Sequence, residues 1–193
     1  MEKLETSFFI EQTTWLHRNY FKMLKRITGV MVKQIIISQN FFICKTSLKN
    51  VTYALLFFKQ HSLTRYKQLI DIAAEDYWTQ FNKFRINYLL LSLLYNARII
   101  ISLTANELEY LPSNTKIFCS SNWLEREVWD MYGIFFQGNT DLRRILTDYG
   151  FSGHPLRKNF PLTGFSEIYY SLQQKKILSK RINLSTPYRV FSL

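Results

Sequence analysis

Glycine and proline are scarce in this chain of 193 residues, with six and four copies, and alanine occurs only at Ala54, Ala73, Ala74, Ala97 and Ala105. Cysteine is scarcer still, with Cys44 and Cys119 alone. Two thiols far apart, with no CxxC spacing, exclude a zinc site and argue against a disulfide framework. Both lie in apolar settings, FFICK and KIFCS, which predicts two buried free thiols. Long hydrophobic runs are missing as well. The longest uncharged apolar stretch, INYLLLSLLYNA between Arg85 and Arg98, falls short of the roughly 20 residues a spanning helix needs. The opening MEKLETSFFIEQ carries Glu2, Glu5 and Glu11, unlike a secretory signal or an Arg-rich transit peptide. The expectation is a chain that is soluble or held at a membrane by partners. No dinucleotide or phosphate glycine loop, HExxH or nucleophile elbow occurs.

What is present is apolar, aromatic and basic. The chain is 47% hydrophobic, with 16 Phe, 12 Tyr and 4 Trp, and a net charge of +11. That suffices for one core without staples. Favouring Phe, Ile, Lys, Asn and Tyr over Ala and Gly is what AT-rich codons produce and hints at an organellar genome. The charge admits three partners: nucleic acid, an anionic membrane or acidic protein. The cations are spread along the chain and form no basic arm.

The apolar spacing predicts a helix over 8–28 stopped by Gly29, then the strands VMVKQIIIS and FFICKT. A helix over 47–60 follows, with Ser47 as its cap and Val51, Leu55, Leu56 and Phe58 inward. Three strands come next, YKQLIDIAAED, FRINYLLLSLL and ARIIISLT, the last two turning at Tyr95-Asn96. Leu111-Pro112-Ser113 breaks the pattern before a helix over 115–132. A final hairpin, FSEIYYS and KKILSK, turns at Leu172-Gln173-Gln174. The fold class read from this order is α+β: a small mixed sheet with helices packed on one side, followed by an irregular extended C-terminal tail. The division falls at about residue 134, giving a globular domain over 1–133 and a partner-binding tail over 134–193.

Within the helix, residues 123–132 are the best specified. Asn122 and Glu125 have capping-box spacing, and Gly133 sits where a left-handed residue ends a helix. Leu124, Val128 and Met131 share one side. Arg126 points the other way, with Asp130 in reach one turn on and Trp129 nearby. Trp123 and Trp129 then lie on a face that ought to be wet, so either the tail folds over them or a partner does. Glu125 and Glu127 are about 200° apart on the helix, and Glu127 and Asp130 about 60°. No nucleophile or ligand set accompanies the three, so catalysis is not expected of them.

The tail opens on DLRRILTDYGFSGHPLRKNFPLTG, residues 141–164, which holds three of the six glycines and two of the four prolines. Irregular glycines and prolines forbid a continuous helix or strand. Paired cations, Arg143-Arg144 and Arg157-Lys158, sit near its ends. His154, between Gly153 and Pro155, reads as a hydrogen-bonded loop histidine.

WLEREVWDMYGIFF followed by DLRRILTDYGFSGHPLRKNFPLTGF closely resembles a family of respiratory complex I subunits, known in mitochondria as NADH dehydrogenase subunit 9. The likeness is dense from Asn122 to about Phe165 and weaker back to Tyr66. One departure stands out: the family commonly has His-Pro where Asn139-Thr140 stand. The resemblance implies a non-catalytic core subunit of the hydrophilic arm of NADH:ubiquinone oxidoreductase. It implies a hetero-oligomer in which this chain packs on the subunit that forms much of the quinone pocket and near cluster-bearing subunits. NADH, FMN, iron–sulfur clusters and quinone would sit in those neighbours, with no cofactor, metal or catalytic residue here. The implied place is the matrix side of the mitochondrial inner membrane, reached through the complex, with organelle encoding expected; a bacterial cytoplasmic membrane is the alternative. The partner-binding residues expected on the helix are Trp123, Glu125, Arg126, Glu127, Trp129 and Asp130. On the tail they are Arg143, Arg144, His154, Pro155, Arg157, Lys158 and Pro161. A basic RNA-binding or organellar ribosomal protein is the second reading, supported by charge and aromatics but lacking an RNA-motif strand or GXXG loop. A self-contained enzyme comes third.

Overall fold

The structure, a computed structural model, describes residues 19–20, 22–29, 31–38, 41–77, 83–184, 186, 189 and 191. The predicted helix before residue 19, Gln39-Asn40 of the first turn and most of WTQFNK lie outside the described residues. A short helix α1 (residues 22–27) is followed by β1 (Val32–Ser38), β2 (Phe41–Thr46), α2 (Val51–Gln60), β3 (Gln68–Asp76), β4 (Phe84–Ser92) and β5 (Ala97–Ala105). Then come β6 (Leu111–Pro112), α3 (Ser121–Tyr132), β7 (Phe136–Gln137), β8 (Ser166–Ser171) and β9 (Lys176–Arg181).

The first five strands form one sheet in the order β1-β2-β5-β4-β3. β2 and β5 run parallel and every other pair is antiparallel, so the sheet is mixed, as expected. β4 alternates strictly between buried and half-buried residues, the signature of a strand with one face on a core. Register places Tyr88 between Ile72 and Ile101, and Leu90 between Leu69 and Ile99. With Phe42, Cys44 and the inward residues Val51, Ala54, Leu55 and Phe58 of α2, they form a single core. Each such fully buried aliphatic or aromatic side chain contributes about 1.5–3 kcal/mol of transfer free energy. Asn96 turns β4 into β5 at φ 45°, a left-handed angle that asparagine tolerates better than most residues.

Four local expectations fail, each for a packing reason. Leu56 is 38% exposed; Ala54 takes the inward place beside Leu55. Ser47 makes no cap, because a 3₁₀ turn, Leu48–Asn50, intervenes before α2. Residues 115–120 are turns rather than helix: Phe118 plugs the core there, and Lys59 Nζ donates to the Ile117 carbonyl. Cys119, next to that plug, is exposed rather than buried. Cys44 is buried as expected, and burial pushes its thiol up to about 12.

Candidate functional site

α3 packs along β3, the outer strand of the sheet, and Ser120 Oγ donates to the Leu69 carbonyl at 3.2 Å. Its two ends are tied together by chain geometry. β6 enters it and β7 leaves it, and the two pair in parallel, Leu111 with Phe136 and Pro112 with Gln137. Ile134 and Phe136 are buried where this loop closes.

Glu125 does not cap the helix. Its carboxylate is fully buried and accepts hydrogen bonds from Asn114 N, Ser113 Oγ and Ser121 Oγ at 2.7 Å and from Asn139 Nδ2 at 2.9 Å. The capping-box expectation therefore fails; N-cap Ser120 makes no side-chain hydrogen bond to the helix's own amides. The helix starts two residues earlier than 123, and the buried stripe runs through Ser121, Glu125 and Val128. A buried carboxylate needs its lone pairs filled, and four donors do so. Asn139, at the departure from the family's His-Pro, is one of them.

Asp130 is the second fully buried acid, and it organises the tail. Its Oδ2 accepts from three successive amides, Ile145, Leu146 and Thr147, at 3.1, 2.8 and 3.0 Å. Its Oδ1 accepts from Thr147 Oγ1 at 2.7 Å and Arg144 Nη1 at 2.8 Å. Burial alone pushes this carboxyl up; the Thr147, Leu146 and Arg144 hydrogen bonds outweigh it and hold Asp130 well below the usual carboxylate range. The expected Arg126–Asp130 pair does not form. Arg126 is only 7% exposed, donates from Nε to the Arg143 carbonyl at 3.0 Å and lies over the Trp123 ring. The tail covers it, where a bare helix would have left it wet.

The tail also caps the C-terminus of α3. The last carbonyls of a helix lack intrahelical donors, and the helix dipole favours cations there. His154 Nδ1 donates to the Asp130 carbonyl at 3.0 Å, Leu156 N to Met131 at 3.1 Å, and Arg157 Nε to Tyr132. Gly133 makes this closure possible. It stands at φ 73°, and a Cβ there would sit 2.5 Å from His154 Nε2 and 2.6 Å from Arg157 Nη2. Burial, with the nearby Arg157 and Arg144 charges, holds the His154 imidazole below its ordinary value despite its bond to the carbonyl. Its hydrogen bond fits the sequence reading of a loop histidine. Arg157 also pairs with Glu107 at 2.6 Å, and Lys158 N donates to Asp76 Oδ2 at 2.8 Å.

The predicted residues thus divide. Glu125, Arg126, Asp130, Arg144, His154 and Arg157 face inward. Trp129 is partly covered by the His154 ring and by Arg144 over its face. Pro155 and Pro161 are half-buried, and Glu127 and Lys158 are exposed. Trp123 is 65% exposed. Arg143, its side chain 75% exposed, pairs only locally, with Asp141 at 3.1 Å. Residues that sequence reasoning passed over are Ser113, Ser121, Asn139, Thr147, Asp76 and Glu107. Small polar residues and isolated acids carry no periodic signal; only the Asn139-Thr140 departure drew attention to one of them.

Residues 44–166 match the model of the family described as respiratory-chain NADH dehydrogenase, 30 Kd subunit. The chain is 45% identical over 139 residues to the mitochondrial NADH dehydrogenase [ubiquinone] iron-sulfur protein 3 of Candida albicans, covering 72% of this chain and 50% of that one. It is 44% identical over 142 residues to a subunit of the NADH-quinone oxidoreductase of Rhodospirillum rubrum, covering 74% and 67%. It is 45% identical over 151 residues to NADH-ubiquinone oxidoreductase subunit 9 of Prototheca wickerhamii, covering 78% and 77%. The chain therefore spans about half the length of the Candida relative. A similar fold occurs in a chain of the membrane-bound sulfane sulfur reductase, an archaeal respiratory membrane complex, with TM-score 0.64, 18% identity and coverage of 75% of this chain and 86% of that one. The donor set here does not fit an iron–sulfur cluster, which takes four cysteines or two cysteines with two histidines: of the two cysteines one is buried in β2 and one lies at the surface, and among the described residues no group of three or more His, Cys, Asp or Glu is placed to hold a metal ion. By both the family match and these identities, the chain belongs to the family of the 30 kDa subunit of respiratory-chain NADH dehydrogenase.

Proposed function

We propose that this chain is a non-catalytic subunit of the hydrophilic arm of NADH:ubiquinone oxidoreductase, which positions the quinone-site and cluster-bearing subunits during electron transfer. The observation that carries this reading is the use made of α3's two buried acids. Glu125 and Asp130 have their oxygens filled by four and five donors of the chain itself. Carboxylates so engaged hold structure rather than move protons. Together with the His154 and Arg157 contacts they fix the tail in one path over the helix. The helix and the tail path over it present large apolar residues to the outside: Trp123 of α3 is 65% exposed, and Leu146, Tyr149 and Leu156 of the tail 58%, 104% and 53%. Arg143 and Lys158 of the tail are exposed as well. Exposed aromatic and aliphatic residues beside arginine are the usual anchors of a protein interface.

The partners in this reading are the quinone-pocket subunit and the cluster-bearing subunits beside it, which hold the NADH, flavin, clusters and quinone chemistry. The complex stands at the matrix side of the mitochondrial inner membrane; codon-biased composition supports organelle encoding, and a bacterial membrane is the other setting. No helix among the described residues is long and apolar enough to cross a membrane. The division at about residue 134 is one of roles: the sheet domain supports, the tail docks. A variant with Trp123→Ala, Arg143→Glu, Tyr149→Ala and Leu156→Ser tests this. Native gels stained for NADH dehydrogenase activity should lose the intact complex while the chain stays folded. Undiminished complex with that variant contradicts the reading, and tight, salt-sensitive RNA binding by the pure chain would favour the ribosomal one.

A further inference from the structure

The hairpin β8–β9 forms a sheet of its own, paired to no other strand among the described residues. None of its residues is buried. An isolated two-stranded hairpin is marginally stable at best in water, yet this one has an unbroken ladder from Ser166↔Arg181 to Ser171↔Lys176. Its faces differ. One carries Glu167, Tyr169, Leu178 and Lys180, and is satisfied internally: Lys180 pairs with Glu167 at 2.9 Å and lies over the Tyr169 ring. The other carries Ile168, Tyr170 and Ile177, which are 59%, 58% and 70% exposed, with Tyr170 directly opposite Ile177. Leu172 at the turn is 83% exposed. Alternation of this kind specifies a face meant for burial, and this chain offers nothing to bury it among the described residues. The family match ends at residue 166, so the hairpin lies beyond the part that match describes.

The geometry points to the Ile168–Tyr170–Ile177 face as a docking surface for a neighbouring protein that presents an apolar patch rimmed by carboxylates. Charge selects that occupant. From Ser166 to Arg181 the hairpin has four cations, Lys175, Lys176, Lys180 and Arg181, against the single acid Glu167. Lys180 is engaged with Glu167 and Lys176 lies on that same face opposite Ser171, which leaves Arg181 on the apolar face and Lys175 at the turn. A second copy of a chain carrying +11 brings like charge to like, so self-pairing is disfavoured. Tyr169 and Tyr170 point to opposite faces, so they make no continuous platform for stacked bases. The surface rests on the proposed role in the oxidoreductase and adds a contact separate from the α3 tail path.

The test uses the full chain, returned to cells that lack it. A photo-crosslinking residue is placed at 168, 170 or 177, with 169 on the opposite face as control. Crosslinks from the three positions to acidic segments of another subunit of the oxidoreductase support the surface. Crosslinks to lipid, RNA or a second copy overturn it. In parallel, Ile177→Asp should lower the share of chain found in the intact complex at least tenfold, and Lys175→Glu with Arg181→Glu severalfold. Tyr169→Asp should change it less than twofold. Thermal unfolding of each purified variant, matching that of the parent, shows that the sheet domain is intact. If Ile177→Asp enters the complex normally, the docking surface is wrong and the subunit role stands. If the parent chain never migrates with NADH dehydrogenase activity, the subunit role itself fails.

Discussion

Two stretches of the C-terminal third meet the rest of the molecule in opposite ways. Residues 141–157 have no regular structure, yet their amides and cations are engaged by Asp130 and the Asp130–Tyr132 carbonyls of α3 and by Glu107 in the loop after β5. Residues 166–181 are a regular hairpin, yet they bury nothing. Regularity and integration are thus separate properties. The irregular ribbon belongs to the fold because a buried acid and a helix end needed its donors. The hairpin does not, because its ladder closes on itself and its apolar face lacks a counterpart among the described residues.

The sharpest way to break this contrast is Asp130→Ala. Removing the partner of a half-buried Arg144 and of three ribbon amides should cost about 3–5 kcal/mol, read as a lower urea midpoint, and should release the ribbon while the hairpin stays as it was. The same carboxylate sets an acid limit. Its folded-state pKa is depressed, so its contribution is complete above the ordinary aspartate value of about 3.9 and is lost as pH falls below that toward the folded value. Asp130→Asn should flatten that acid limb. Next in size, Gly133→Ala forces a Cβ at positive φ against His154 and Arg157; a loss of about 1–3 kcal/mol with a red shift of Trp129 fluorescence is expected. Asn139→Ala leaves one oxygen of buried Glu125 short of a donor and should cost about 1–3 kcal/mol, near the lower end because Ser113 still serves that oxygen. Glu127→Gln, on the exposed side of α3, should stay within about 0.5 kcal/mol of the parent.

Much of the sheet was legible in the sequence because apolar alternation reports which face is buried. β3, β4, β5 and the final hairpin fall where the pattern places them, and Gly133 ends α3 as its position predicts, at φ 73°. The start of α3 was misread because Glu125 obeys a spacing rule for capping while tertiary donors from Ser113 and Asn114 claim it. Arg126 and Asp130 fit a one-turn pair for the same kind of reason, and lost it to residues 17 and 14 positions away, Arg143 and Arg144. Local spacing names candidate partners; which of them wins depends on what the fold brings near. Cys119 shows the same in reverse, its apolar neighbours having suggested burial that Phe118 alone receives.

Hydrogen exchange on the purified full chain is the most direct test that the ribbon is seated by its own helix while the hairpin awaits another surface. The amides of Ile145, Leu146, Thr147 and Leu156 should exchange slowly, together with those of α3, and β8–β9 amides should exchange fast. Fast exchange throughout 141–157 beside a protected α3, or a hairpin as protected as β4, would contradict it.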